Sequence, residues 1–213
     1  QVCGPGEVLV TDDVGRMLPH GSQLTPRADG YRRLLDLPAG TPLIAAASAL
    51  PLPPQARQFV PRAVVQRLEA GLADWMAEFR RLTVLFVKLE GLNYDAPDLL
   101  LRLQQATQAL QATIYKHGGG INQLAMDEKG VTLIAGWGIP GKAHHDDAAR
   151  AVETALAIRA ELQGQRLGCS MGLTTGRVFC GVRGGQRRRQ YALMGQAVNL
   201  AARLMQAADG DIL

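Results

Sequence analysis

Beyond residue 61 the chain alternates between two hydrophobic periods. Val64, Val65, Leu68, Leu72, Trp75, Met76 and Phe79 recur at helical spacing and predict an amphipathic helix over 62–80. Pro61 suits its first turn. "LTVLFVKL" (82–89) is β-branched and apolar, as a buried strand should be. "PDLLLRLQQATQALQATIYKH" (97–117) returns to the helical period and is stopped by Gly118, Gly119 and Gly120. "INQLAM" (121–126) and "GVTLIAGWG" (130–138) predict two strands joined through "DEK" as a hairpin. "HDDAARAVETALAIRAEL" (145–162) predicts a second long helix, with Asp146 and Asp147 in the first turn, where the helix dipole favours acids. "LGCSMGLTTG" and "RVFCGVRG" read as a strand pair turning at Thr175-Gly176, and "QYALM" as a last strand before a closing helix. The order β-α-β-β-α-β, with an extra strand and helix, predicts an α+β fold: a ferredoxin-like core with helices on one face of an antiparallel sheet.

Upstream the pattern weakens. Residues 1–37 open with "GPGEVLVTDDV", a turn into a short strand, and 38–61 are rich in Pro and Ala, as an extended linker is. The domain proper is expected over 62–213. The chain has 213 residues, 47% hydrophobic and 20% charged, which is ordinary for a globular protein. No apolar run approaches the roughly 20 residues of a membrane span, and "QVCGPGEVLV" has neither the basic start nor the apolar core of a signal peptide. Cys3, Cys169 and Cys180 lack metal-ligand spacing and read as reduced thiols, so a cytoplasmic location is expected.

The net charge of +4 changes the picture at one place: Arg177, Arg183, Arg187, Arg188 and Arg189 cluster without an acid among them. An RNA-binding sheet would also expose aromatics on its central strands. "TVLFVKL" and "RVFCGV" each offer a single phenylalanine in apolar company, so no nucleic-acid partner is expected. "HHDD" (144–147) collects four candidate ligands, but consecutive helical residues diverge, which favours a helix start over a metal site. "GGG" (118–120) precedes a strand and reads as a helix stop, not a phosphate loop.

One stretch carries more chemistry. In "MGQAVNLAARL" (194–204), Asn199 and Arg203 stand four apart, on one face of an otherwise small and apolar helix. With the preceding "GLTTGRVFCGVRGGQRRRQYA" it resembles the signature of the class III nucleotide cyclase catalytic domain, matching at Gly176, Val178, Gly181, Gly184, Tyr191, Gly195, Val198, Asn199, Ala201, Ala202, Arg203 and Leu204. "TVLFVKLEGL", "GGGINQ", "WGIP" and "HDDAARAV" match earlier landmarks in the right order. Over about 62–213 the chain is similar to the second catalytic domain of tandem, soluble-type adenylyl cyclases related to the bicarbonate-responsive ones.

The resemblance implies a site built between two such domains, converting ATP to cyclic AMP and pyrophosphate. One half brings two aspartates that hold two Mg2+ (or Mn2+) ions. The other brings an asparagine that orients the ribose and an arginine that neutralises the transferring phosphate. Asn199 and Arg203 match the second set. At the metal positions the chain has Lys88 and Val131, or Asp127-Glu128 by a shifted alignment, and Glu90 two residues beyond Lys88 reads as a solvated carboxylate. The metal is therefore expected from a complementary cyclase domain, and the fragment alone is expected to be inactive. The base-reading positions carry over to Gln123 and Ala192, with Leu193 beside them and Met126 agreeing with the bicarbonate-responsive members; adenine is expected over guanine. Because "GPGEVLVTDDV" resembles the segment that follows "AARL" in the family, residues 1–37 are expected to be the tail of a preceding cyclase domain, with a circular permutation as the rival reading. The functional alternatives are a degenerate cyclase-like domain that regulates or dimerises and, from "RGGQRRR", an RNA-binding ferredoxin-like domain.

Overall fold

The computed structural model of the chain describes residues 3–27, 29–39, 60, 64–65, 69, 71, 77–127, 130–184 and 189–213. Most of the linker at 38–61, most of the helix expected over 62–80, the hairpin residues Glu128 and Lys129, and Arg187 and Arg188 lie outside the described residues.

Two compact units divide the chain, Gln1–Pro51 and Leu52–Leu213. The first is a three-stranded antiparallel sheet, β1 (Val8–Val10), β2 (Gln23–Pro26) and β3 (Arg32–Asp36), with β3 central and α1 (Asp12–Met17) between β1 and β2. Thr11 caps α1 by accepting from the Val14 amide at 3.4 Å. Partly exposed ion pairs lace the unit, among them Arg27–Glu7 and Arg32–Asp12. None of its described residues is buried.

The second unit runs β4 (Glu78–Glu90), α2 (Leu99–Lys116), β5 (Gly120–Asp127), β6 (Gly130–Trp137), α3 (Asp147–Gly164), β7 (Gly168–Gly184), β8 (Arg189–Met194) and α4 (Gln196–Ala207). Its antiparallel sheet has the order β5-β6-β4-β7-β8, so the βαββαβ core is ferredoxin-like, as the element order predicts. Strand alternation sorts β4 between two cores. Leu85, Val87 and Leu89 pack under α2 and α3 with Ala106, Leu110, Ile114, Ala155 and Ile158. Leu82 and Val84 face the other way, against Val198 and Ala201 of α4 and Val178, Cys180 and Leu193 of β7 and β8. Helices thus cover both faces, not one as expected.

Two boundaries also differ from expectation. Residues 78–80 are strand, not the end of a helix, because β4 pairs with β7 without a break from Glu78↔Cys180 to Glu90↔Gly168. No turn forms at Thr175-Gly176: β7 is one strand of 17 residues. Gly176 serves a close approach instead, since a Cβ there would stand 2.8 Å from the Ala197 Cβ of α4.

The three glycines do stop α2, with Gly118 at φ +77°. Gly119 also makes room for a neighbour, because a side chain there would meet the Trp137 ring at 2.6 Å. Trp137 is fully buried and donates its indole N–H to the His117 carbonyl at 3.0 Å. "HHDD" is a helix start. Asp147 accepts from the His144 amide at 3.0 Å, and Asp146 accepts from Arg150 at 2.7 Å. The Arg150 guanidinium holds the Asp146 carboxyl below the usual carboxylate range.

Candidate active-site face

The chemistry collects on the α4 side of the sheet. α4 lies directly on β7 at Gly172, where any Cβ would overlap the Ala201 carbonyl and the Met205 amide. Ala197, Val198, Ala201 and Met205 make its buried stripe. That contact fixes the rotation of the helix and turns Asn199 and Arg203 outward, both exposed, one turn apart. Neither side chain has a hydrogen bond or ion pair among the described residues. Gln206 continues the same stripe at seven residues from Asn199, a position that helical spacing makes legible but that the signature motif leaves out.

Gln206 also lines a cavity of about 610 Å³ between the C-terminal half of α4 and the sheet. Lys88, Glu90, Asp127, Thr132, Ser170 and Asp209 are its polar lining. The register explains the grouping, because Lys88 stands opposite both Thr132 of β6 and Ser170 of β7. Glu90 is not a freely solvated carboxylate. It accepts from the Ser170 hydroxyl at 2.5 Å, and Ser170 in turn accepts from the Gly210 amide at 2.8 Å.

These donors do not fit a pair of divalent cations. The first metal position is an ammonium, which repels a cation. The second, by the resemblance, is Val131, which is 1% exposed and packed in the opposite core, under α2 and α3, while Asp127 of the shifted alternative lines the cavity with Lys88 and Glu90. Among the described residues no group of three His, Cys, Asp or Glu side chains is placed to share an ion.

The candidate base-reading residues divide. Gln123 is exposed on the edge strand β5 and paired with Ile134, on the α4 side. The bulge between Ile121 and Gln123 sets that facing, and leaves the Asn122 Oδ1 buried without a hydrogen-bond partner among the described residues. Leu193 shares this side but is 5% exposed and packed on Gly136. β5 and β8 stand at opposite ends of the strand order and still approach one another. Ala192 is buried and faces away, one residue out of phase with Leu193. Met126, 61% exposed, pairs with Val131 and so also lies on the far side. The structure therefore brings Gln123 and Leu193 to the α4 face and leaves Met126 and Ala192 off it.

Comparisons with known proteins agree with this architecture. Residues 126–212 match the model of the adenylate and guanylate cyclase catalytic domain. The chain is 30% identical to adenylate cyclase type 10 of Rattus norvegicus over 145 residues, 66% of this chain and 9% of that protein. It thus spans about a tenth of the length of adenylate cyclase type 10. Among solved structures, the adenylyl cyclase CyaB from P. aeruginosa superposes with a TM-score of 0.57 at 27% identity, covering 64% of this chain and 76% of that one. The guanylyl cyclase Cya2 gives 0.54 at 25% identity, covering 63% and 74%.

Proposed function

We propose, from the premise that residues 126–212 belong to the family of adenylate and guanylate cyclase catalytic domains, that this chain is one half of an adenylyl cyclase site. Asn199 orients the ribose of ATP, and Arg203 neutralises charge on the transferring phosphoryl group. The observation that carries the reading is the display of these two side chains, exposed, one turn apart and without partners among the described residues, on a helix locked to β7. A guanidinium presents a planar fork of donors to phosphate oxygens. The packing of α4 on β7 holds the backbone that carries it, so the helix need not move when charge develops.

Mg2+ or Mn2+ is supplied by a complementary domain, in tandem or as a dimer partner, because Lys88 and Val131 leave this half without the ligands. Gln123 hydrogen-bonds the base edge, and the Leu193 region packs beside it. Residues 1–37 are the tail of a preceding cyclase domain, and 62–213 are the second half. The test is complementation. The purified chain with ATP and Mg2+ or Mn2+ should form no cyclic AMP, and adding a cyclase domain that carries both metal aspartates should produce it. Turnover by the chain alone would overturn the division of labour.

Lys88, and Ala192 buried on the far side of the sheet, favour a second reading, a domain that only regulates or dimerises. In that case the complemented pair forms no product even though the two domains associate.

A further inference from the structure

The start of β4 carries a surface that the cyclase reading does not use. Phe79 belongs to the strand and stands directly opposite Phe179 of β7, on two adjacent strands within the sheet. Two aromatics are thus paired across neighbouring strands, which "TVLFVKL" and "RVFCGV" read one at a time do not suggest, and this removes the ground for expecting no nucleic-acid partner. Phe79 is 62% exposed, and the ring centroids are 5.5 Å apart at 67°. The Arg177 guanidinium lies 4.9 Å from the Phe79 ring centroid. Arg81 is paired face to face with Arg177, and Arg183 follows on the same side of β7 beside Gln190. By alternation the other residues of this side, Thr83, Thr175, Gly181, Gln190, Ala192 and Met194, include no acid.

Two arginines directly opposite on a sheet repel, and neither has a carboxylate partner among the described residues. Both are exposed, so water screens the repulsion, and an anion between them would remove it. An exposed ring at Phe79 beside the half-buried ring of Phe179, on neighbouring strands and flanked by such cations, is the kind of surface that unstacked bases and their phosphates use. We propose that this face binds a single-stranded polynucleotide, with bases on Phe79 and Phe179 and phosphates on Arg81, Arg177 and Arg183. The 67° between the rings suits bases splayed apart better than a continuous stack. This inference does not depend on the cyclase reading.

Fluorescence anisotropy of the whole chain with labelled U-rich RNA and T-rich DNA of about 12 nucleotides tests it. A Kd of about 1–100 µM near 100 mM salt is expected, with a log–log salt slope of about −2 for three phosphates on a single strand. Phe79→Leu keeps an exposed apolar residue and should weaken binding about tenfold, by loss of one stacked base. Arg177→Gln should weaken it too and make the salt slope shallower, whereas Lys116→Gln, on α2, should change nothing. Thermal melts show that each variant is folded. Three results would overturn the proposal: no binding, binding unaffected by Phe79→Leu, or a poly-glutamate peptide that binds as tightly with the same losses, which would make the partner an acidic protein.

Discussion

Arg203 and Asn199 are the residues on which the proposed chemistry rests. In a complemented enzyme, Arg203→Ala should lower kcat about 100- to 1,000-fold with little change in KM for ATP, the usual cost of one transition-state donor. Asn199→Ala should act similarly, because a misplaced ribose moves the 3′-oxygen out of line. The double substitution should cost less than the product of the two, since both serve one geometry. Both side chains are exposed, so stability should change by no more than about 0.5 kcal/mol. A near-normal kcat in Arg203→Ala would remove the catalytic assignment. The cysteines offer a second check at this scale. Burial, with the nearby Glu90 charge, pushes the Cys169 thiol up to about 11, so it stays protonated at pH 8 and is a poor nucleophile. Cys180 is buried, whereas Cys3 is partly exposed. A thiol reagent at pH 8 should therefore modify one cysteine in the native chain and all three after denaturation. Modification of all three in the native chain would contradict the packing of β7.

The contact between α4 and β7 is where an element decides the site. Gly172 is legible in the sequence only as one glycine among 24. In the fold it is the point at which the α4 backbone rests on the sheet. Gly172→Ala would force the helix outward, an overpacking cost of about 1–3 kcal/mol or more. It should lower Tm and also reduce activity in the complemented enzyme, because Asn199 and Arg203 move with the helix. Calorimetry and turnover on the same preparation check both. Full activity with an unchanged Tm would show that α4 is not held this way.

For the whole molecule, the contrast between the units matters most. The unit Gln1–Pro51 has a three-stranded sheet and no buried described residue, whereas Leu52–Leu213 holds two cores. A sheet of that size whose apolar row, Val8, Leu34 and Leu24, is only partly covered has marginal stability of its own. Limited proteolysis should degrade residues 3–39 first and leave 78–213 protected, as expected if the N-terminal piece belongs to another domain. Equal protection of both would favour the circular-permutation reading.

The sequence by itself determined much of this protein. Periods of two and near 3.6 located β5, β6, β8 and the helices α2, α3 and α4, since burial on one face writes that period directly. The Asn199–Arg203 pair was legible for the same reason. Tertiary structure decided the rest. Phe79 fitted a helical period by chance, and only the pairing of β4 with β7 along the whole length of β4 made it a strand residue. The Thr175-Gly176 turn was inferred from a glycine whose actual cause is the Ala197 side chain, about 20 residues away in sequence. Which side of the sheet Met126, Ala192 and Val131 face depends on register and on the bulge before Gln123. Register is a relation between strands, so no single strand's sequence carries it.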